Sequence, residues 1–245
     1  ALADFLSDFA AIKSPKILIH GGGKLATQLS KDLNIEPKII DGRRITDEKT
    51  IDIVTMVYAG LINKKIVAQL QSQKCNAIGL SGADANIIEA HKRINTEIDY
   101  GFVGDIDKVN ADLLIDLLSK NYTPVIAPLT HDGNGNLLNT NADTMAAVIA
   151  VELSKVKKVS FIYCFEKDGL LKDVNNNDSI ISHLNIAEVE QLKEKQIINA
   201  GMLPKTANII HALENGVEKV ILCHAKNVLP IVNENAKFGT TFTKN

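Results

Sequence analysis

The sequence predicts an α/β protein with a largely parallel sheet. Three observations carry this prediction. Short apolar runs rich in β-branched residues alternate with longer runs whose apolar residues recur every three or four positions. The first short run, Ile17 to His20, leads directly into Gly21, Gly22 and Gly23, and then into a helical pattern from Lys24. No repeat, linker or low-complexity stretch breaks the 245 residues.

Taken in order, residues 2–12 have amphipathic helical spacing through Leu2, Phe5, Leu6 and Phe9. Residues 16–20 read as a buried strand, and 24–33 as a helix with Leu25, Leu29 and Leu33 on one stripe. Ile35 to Ile40, with Pro37 inside, is extended, and Asp41 to Thr46 (DGRRIT) is a turn with adjacent arginines. Residues 47–73 form one long helix, with Asp47 and Glu48 in its first turn, where the dipole favours acids. Its broad apolar surface places it in the core or in a subunit interface, and the interface is the expectation. Asn76 to Leu80 is a strand followed by SGAD (Ser81 to Asp84), and residues 85–104 are strands and turns. A helix follows at 108–120 and a buried strand at Pro124 to Leu129. His131 to Asn136 (HDGNGN) is a hairpin tip, after which NTNAD enters a helix at 142–153. The remainder reads as strand 157–163, a turn-rich segment 168–177, helices 186–194 and 203–214, strand 217–224, and a last strand in FGTTF. Gly216 stops the second of those helices.

Composition narrows the function. A net charge of −2 offers no basic surface for nucleic acid. No apolar stretch reaches the roughly 18 residues of a membrane span, and no signal peptide is visible. Cys75, Cys164 and Cys223 are far apart, which fits reduced thiols in a cytoplasmic protein better than disulfides or a metal site. The chain opens on Ala1, inside a helical pattern, so residues upstream of it are expected.

The chemistry centres on HGGGK, His20 to Lys24. A strand, a glycine turn and a helix start aim backbone N–H groups and a positive dipole end at an anion. Leu25 after Lys24 excludes the common P-loop, and the run is too compact for GxGxxG. A plain βα turn needs one glycine, not three, so a phosphorylated ligand is expected. In a parallel sheet the carboxyl ends of the strands gather the site. That brings HGGGK, SGAD, NTNAD and the loop after Tyr163 together. Lys205, beside Pro204 at a helix start, reads equally as a solvated surface lysine or, since a cation at a positive helix end needs an anion beside it, as a phosphate contact. Asp143 reads equally as a first-turn acid, Asn139 and Asn141 as turn residues or caps, and Arg43 and Arg44 as surface charge or a carboxylate fork. His20 is read as hydrogen-bonded structure rather than a base.

HGGGK, GRRIT, GLSGAD, GFVGDI, LNTNAD and AGMLPK, in this order and spacing, closely resemble the acylglutamate-phosphorylating members of the amino acid kinase family. The resemblance spans nearly the whole chain. It implies a three-layer αβα sandwich around a mainly parallel sheet, with residues 1–156 forming the acylglutamate-binding and dimerisation lobe and residues 157–245 the ATP-binding lobe. It implies transfer of the γ-phosphoryl group of ATP, with Mg²⁺, to the side-chain carboxylate of N-acetyl-L-glutamate or a related N-acylglutamate in arginine biosynthesis. By the same resemblance Gly22 and Gly23 border substrate and the moving phosphoryl group, Arg44 grips a substrate carboxylate and Asn139 binds the acylglutamate. Asp143 organises the catalytic lysines, and Lys205 stabilises the transition state from the nucleotide side. Glu166, Lys167, Asp168, Gly169, Leu170 and Leu171, with Ile197, Ile198 and Asn199, match adenine-nucleotide contacts. A homodimer is implied, with no nucleic acid or membrane partner.

The sequence departs from the family pattern twice. The family's leading strand, with its Lys and Gly-Gly, precedes the first residue here and is expected upstream. Phe165 and Glu166 replace the usual Thr/Ser-Asp pair. A different acceptor acid, or a non-catalytic ligand-binding homologue, is the alternative.

Overall fold

The computed structural model describes residues 2–40, 43–94, 97–173, 175–176, 179–198, 202–234 and 236–245. The chain divides into two compact units, Ser14–Ala146 and Ala147–Asn245, the latter joined by Ala1–Lys13. The sequence places its division near residue 156 and keeps the amino-terminal helix with the first lobe.

The opening helix α1 (Leu2–Ala11) buries Leu6 and Phe9. The Ser14–Ala146 unit then runs through β1 (Leu18–Ile19), α2 (Gly23–Asp32), β2 (Ile39–Ile40) and β3 (Arg43–Arg44). Next come α3 (Glu48–Thr55), a π-helical stretch (Met56–Ile62), α4 (Asn63–Ser72) and β4 (Ala77–Ser81). After β5 (Ile88–Lys92), β6 (Gly104–Val109) and α5 (Ala111–Ser119) come β7 (Thr123–Ala127), β8 (Leu129–His131) and β9 (Leu137–Asn139). The site lies on a parallel sheet of order β1–β7–β4. Every residue of the central strand β7 is buried, as expected for a parallel strand covered on both faces.

Residues 88–109 and 129–139 form a second sheet, order β6–β5–β8–β9, with antiparallel outer pairs. Strand β5 falls within the strands and turns expected over 85–104, and β6 runs past that segment. Gly104 to Val109 is strand, so the helix expected from 108 starts at Ala111, where the Asn110 side chain accepts from Leu113 N–H at 3.2 Å.

The long helix expected at 47–73 has that extent but changes geometry at its centre. Asp47 caps its start by accepting from Thr50 N–H at 2.9 Å, and the same bonds hold the Asp47 carboxyl below its usual pKa. The π-helical turn at Met56–Ile62 re-aims the residues after it relative to a continuous α-helix. Most of the apolar residues serve the unit's own core. Ile53, Val54, Val57 and Tyr58 pack with Ala26, Ala127 and Leu129, and Ile66 and Leu70 are buried too. Each such burial contributes about 1.5–3 kcal/mol. Met56 and Leu61 remain exposed.

The other unit carries most of α6 (Ala142–Ser154), then β10 (Ser160–Phe165), β11 (His183–Asn185), α7 (Ile186–Glu194) and α8 (Leu203–Glu214). It ends with β12 (Lys219–His224), α9 (Val228–Glu234), against which α1 packs, and β13 (Thr240–Thr243). Its sheet has the order β10–β12–β13–β11, parallel except for the β12/β13 pair. Helix α7 begins at a capping box, Asn185 with Glu188, and matches the expected range. Cys75, Cys164 and Cys223 are free. No helix among the described residues is long and apolar enough to cross a membrane.

Candidate active site

Strand β1 ends at Ile19, and the chain turns through Gly21 and Gly22 into α2. No side-chain hydrogen bond caps that helix start, the kind of helix end that suits an anion. The turn opens on a cavity of about 540 Å³. Gly21, Gly22, Gly23 and Lys24 form one wall, and Arg43 and Arg44 another. Asn139, Thr140 and Asn141 close it, with Tyr58 from the π-helical turn. Four of the residues singled out from the sequence, Gly22, Gly23, Arg44 and Asn139, thus share one cavity although they come from three distant segments.

Gly22 is needed there for close approach. A Cβ in its place would stand 2.6 Å from both Ile62 Cδ1 and Tyr58 Cδ1. The π-helical turn presses these two side chains against the glycine loop.

Arg44 is 9% exposed. Its Nη2 donates to Gly23 O at 3.1 Å and to Thr27 Oγ1 at 2.7 Å, which ties the guanidinium to the start of α2. Its Nη1 is buried and has no hydrogen-bond partner among the described residues. An orphaned charged donor costs more than a neutral one, so an acceptor oxygen is the natural complement. Burial raises the pKa of nearby Tyr58, with the Arg44 charge opposing, so its hydroxyl stays neutral.

Asn139 is oriented by Thr46. The Thr46 hydroxyl donates its one proton to Arg44 O at 2.9 Å, so it must accept from Asn139 Nδ2 at 3.0 Å. That fixes the amide and leaves Asn139 Oδ1 as an acceptor. Asn141 takes the capping role, its Oδ1 accepting from Thr144 N–H at 2.9 Å. Asp143 follows in the first turn of α6, next to Ala142 of the cavity wall.

SGAD does not reach this cavity. Asp84 Oδ2 accepts from Ser81 N–H at 2.6 Å and from Ser81 Oγ at 2.7 Å, so the segment closes a turn. Its expected place among the converging segments is corrected. Arg43 lines the cavity, whereas Lys92 lies 3.8 Å from the Phe102 ring centroid.

In the other unit Glu166 to Leu171 follow β10. Asp168 Oδ1 meets Lys226 Nζ at 3.1 Å and accepts from Asn227 Nδ2 at 3.2 Å. These bonds hold the Asp168 carboxyl below its usual pKa. The N–H of Leu170 donates to Thr240 Oγ1 at 2.8 Å, and the side chains of Leu170, Leu171 and Ile198 are buried. Ile197 is partly buried, and Asn199 lies outside the described residues. Lys205 stands in the first turn of α8, where Pro204 removes one N–H and no side chain caps the end. Its Nζ lies 4.2 Å from the Tyr163 ring centroid.

Tyr58, Thr27 and Thr46 were not evident from the sequence. Tyr58 sits within an apolar helical stripe, and the two threonines act through partners 17 and 93 positions away.

Fold and cavity together define an α/β protein with a glycine-walled cavity, lined by Lys24, Arg43 and Arg44, at the carboxyl end of a parallel sheet. The profile of the amino acid kinase family matches residues 1–224, and the chain belongs to that family. It is 55% identical over 246 residues to acetylglutamate kinase of Cytophaga hutchinsonii, covering 100% of this chain and 93% of that one. The acetylglutamate kinase of Methanopyrus kandleri is 37% identical over 230 residues and covers 92% of each chain. Among solved structures, N-acetylglutamate synthase from Neisseria gonorrhoeae, complexed with coenzyme A and N-acetyl-glutamate, matches with a TM-score of 0.86 at 21% identity. The match covers 100% of this chain but 56% of the synthase. Carbamate kinase from Giardia lamblia matches with a TM-score of 0.69 at 12% identity, covering 100% of this chain and 88% of that one. These two likenesses concern the fold.

Proposed function

We propose that this protein transfers the γ-phosphoryl group of ATP to the side-chain carboxylate of N-acetyl-L-glutamate, as a step in arginine biosynthesis. The observation that carries the reading is Arg44, whose buried Nη1 lacks an acceptor inside a glycine-walled cavity. A substrate carboxylate supplies that acceptor, and Asn139 Oδ1 takes the N–H of the acylated amine. The names of relatives at up to 55% identity point the same way.

The acceptor carboxylate is ionised at neutral pH, so the reaction needs no general base. Catalysis is positioning and charge neutralisation across a loose transition state. Gly22 and Gly23 offer N–H groups to the phosphoryl oxygens in flight. Lys205 neutralises charge from the nucleotide, and Asp143 orders the lysines. The uncapped α8 start beside Lys205 suits a polyanion, and the Glu166–Leu171 and Ile197–Asn199 segments are assigned to the nucleotide. Mg²⁺ would travel on the β- and γ-phosphates with few protein ligands. Residues 14–146 are assigned the acceptor and residues 147–245 the nucleotide. The enzyme is taken to be a cytoplasmic homodimer, paired through the face that leaves Met56 and Leu61 exposed.

The test measures ADP release from MgATP with N-acetyl-L-glutamate, N-succinyl-L-glutamate and unacylated glutamate. Turnover with an acylglutamate and little with glutamate is expected. Preference for the succinyl compound would place its extra carboxylate at Arg43. Turnover with neither acylglutamate overturns the assignment.

A further inference from the structure

His20 follows β1 and precedes the glycine turn, yet the mechanism above gives it nothing to do. It is 8% exposed, and its ring lies between two partners. Nδ1 is 2.9 Å from Gly21 O, and Nε2 is 3.2 Å from Asn63 Nδ2. Asn63 is 1% exposed and also donates from Nδ2 to Val125 O at 2.9 Å. Its Oδ1 accepts from Lys64 Nζ at 3.2 Å, which settles which end of the amide is nitrogen. Nδ2 must therefore donate to the ring, so Nε2 is the acceptor and Nδ1 carries the proton that bonds Gly21 O. The chain makes room for this arrangement. A Cβ on Gly79 of β4 would collide with Asn63 Oδ1 and stand 2.8 Å from Lys64 Nζ.

We propose that His20 and Asn63 are positioning residues for the glycine loop. Asn63 locks the His20 tautomer, and His20 Nδ1–H holds the Gly21 carbonyl so that the Gly22 N–H points the opposite way, free for the phosphoryl group. The peptide plane makes the two directions inseparable, because C=O and N–H of a trans peptide are antiparallel. Gly22 N–H has no partner among the described residues. Burial disfavours the doubly protonated ring, so the neutral tautomer persists. The proposal rests on the kinase reading in one respect, that Gly22 N–H serves the transferred group.

The test uses two amides. An Asn side chain places its nitrogen where His places Nδ1, and Gln places its nitrogen where His places Nε2. His20→Gln is expected to lower kcat about 10- to 100-fold, the scale of a loop misplaced by about 1 Å, with KM for ATP little changed. His20→Asn is expected to recover most of that loss at a similar Tm. Equal kcat in the two variants, whether low or wild-type, overturns the proposal. In parallel, the ¹⁵N spectrum of imidazole-labelled wild-type protein reads the tautomer directly. A protonated Nδ1 and bare Nε2 support it, and the reverse overturns it even if neither variant folds. If wild-type protein turns over no acylglutamate, the kinase reading fails while the spectrum still judges the His20 lock.

Discussion

Gly22→Ala tests the packing that shapes the site. The new Cβ would stand 2.6 Å from Ile62 Cδ1 and Tyr58 Cδ1, and 2.7 Å from Tyr58 Cε1. Comfortable carbon contacts lie at about 3.5–4.0 Å, so about 1 Å of space is missing on each side. Ile62 can swing its terminal methyl aside. The Tyr58 ring, 6% exposed in the core, cannot, so the loop must retreat. Overpacking of this kind costs about 1–3 kcal/mol. For a chain of this length each kcal/mol lowers Tm by about 2–4 °C, so a fall of roughly 2–12 °C is expected. A retreat of about 1 Å by the N–H groups also predicts a kcat loss of up to about 100-fold. Gly23→Ala is the control, since nothing lies within 4 Å of its Cβ and it opens α2. Alanine there is expected to hold or raise Tm slightly, being the better helix former by up to about 1 kcal/mol. Thermal unfolding followed by circular dichroism and a coupled ADP assay read both variants. Gly22→Ala with wild-type Tm and kcat, or a larger Tm loss in Gly23→Ala, would refute the reasoning.

Arg44→Lys removes the fork but keeps a charge, and the bonds to Gly23 O and Thr27 cannot both be kept with one to substrate. Its KM for acylglutamate should rise by about 100-fold or more, with ATP binding unaffected in calorimetry. Lys205→Ala should lower kcat far more than it weakens acylglutamate binding; near-normal turnover would remove its assigned role. Replacing Met56 and Leu61 by Lys should convert dimer to monomer in light scattering if that face is the interface. Stability should fall as pH drops below about 6.5, because unfolded His20 takes a proton that the buried ring resists, and His20→Asn should flatten that part of the profile in urea titrations.

The parts of the site that the sequence revealed carry their chemistry locally. Three glycines between a strand and a helix, two adjacent arginines in a turn, and NTNAD before a helix each signal a role within a few residues. The helices were legible for the same reason: the Asn185–Glu188 box and Pro204 mark helix starts in the letters themselves. What could not be read depends on distant partners. Tyr58 looks like one more core residue until Gly22 is set beneath it, and Asn63 looks like a polar helix position until His20 and Gly79 face it. The π-helical turn that aims both has no local mark. Strand β6 hid in GDIDKV, whose polar residues weaken the strand pattern, so its end reads as the start of a helix at 108. SGAD looked like a ligand loop because an aspartate that closes a turn and one that binds a ligand are the same letter.

The charge of the cavity bears on what it can accept. Lys24, Arg43 and Arg44 line it, and among the described residues no aspartate or glutamate does. A hydroxyl acceptor would need a base to take its proton during transfer, and none of the described residues of the wall serves: Tyr58 holds its proton more firmly than usual and His20 is turned toward Gly21 and Asn63. A carboxylate acceptor needs no base and brings negative charge that the cations balance. Acylation of the amine completes the match, because it removes the ammonium that three cations would repel and replaces it with an N–H that Asn139 Oδ1 can accept. The cationic wall, the missing base and the oriented amide thus select the same acceptor, a dicarboxylate with its amine blocked. On that argument, unacylated glutamate fails for its charge more than for its size.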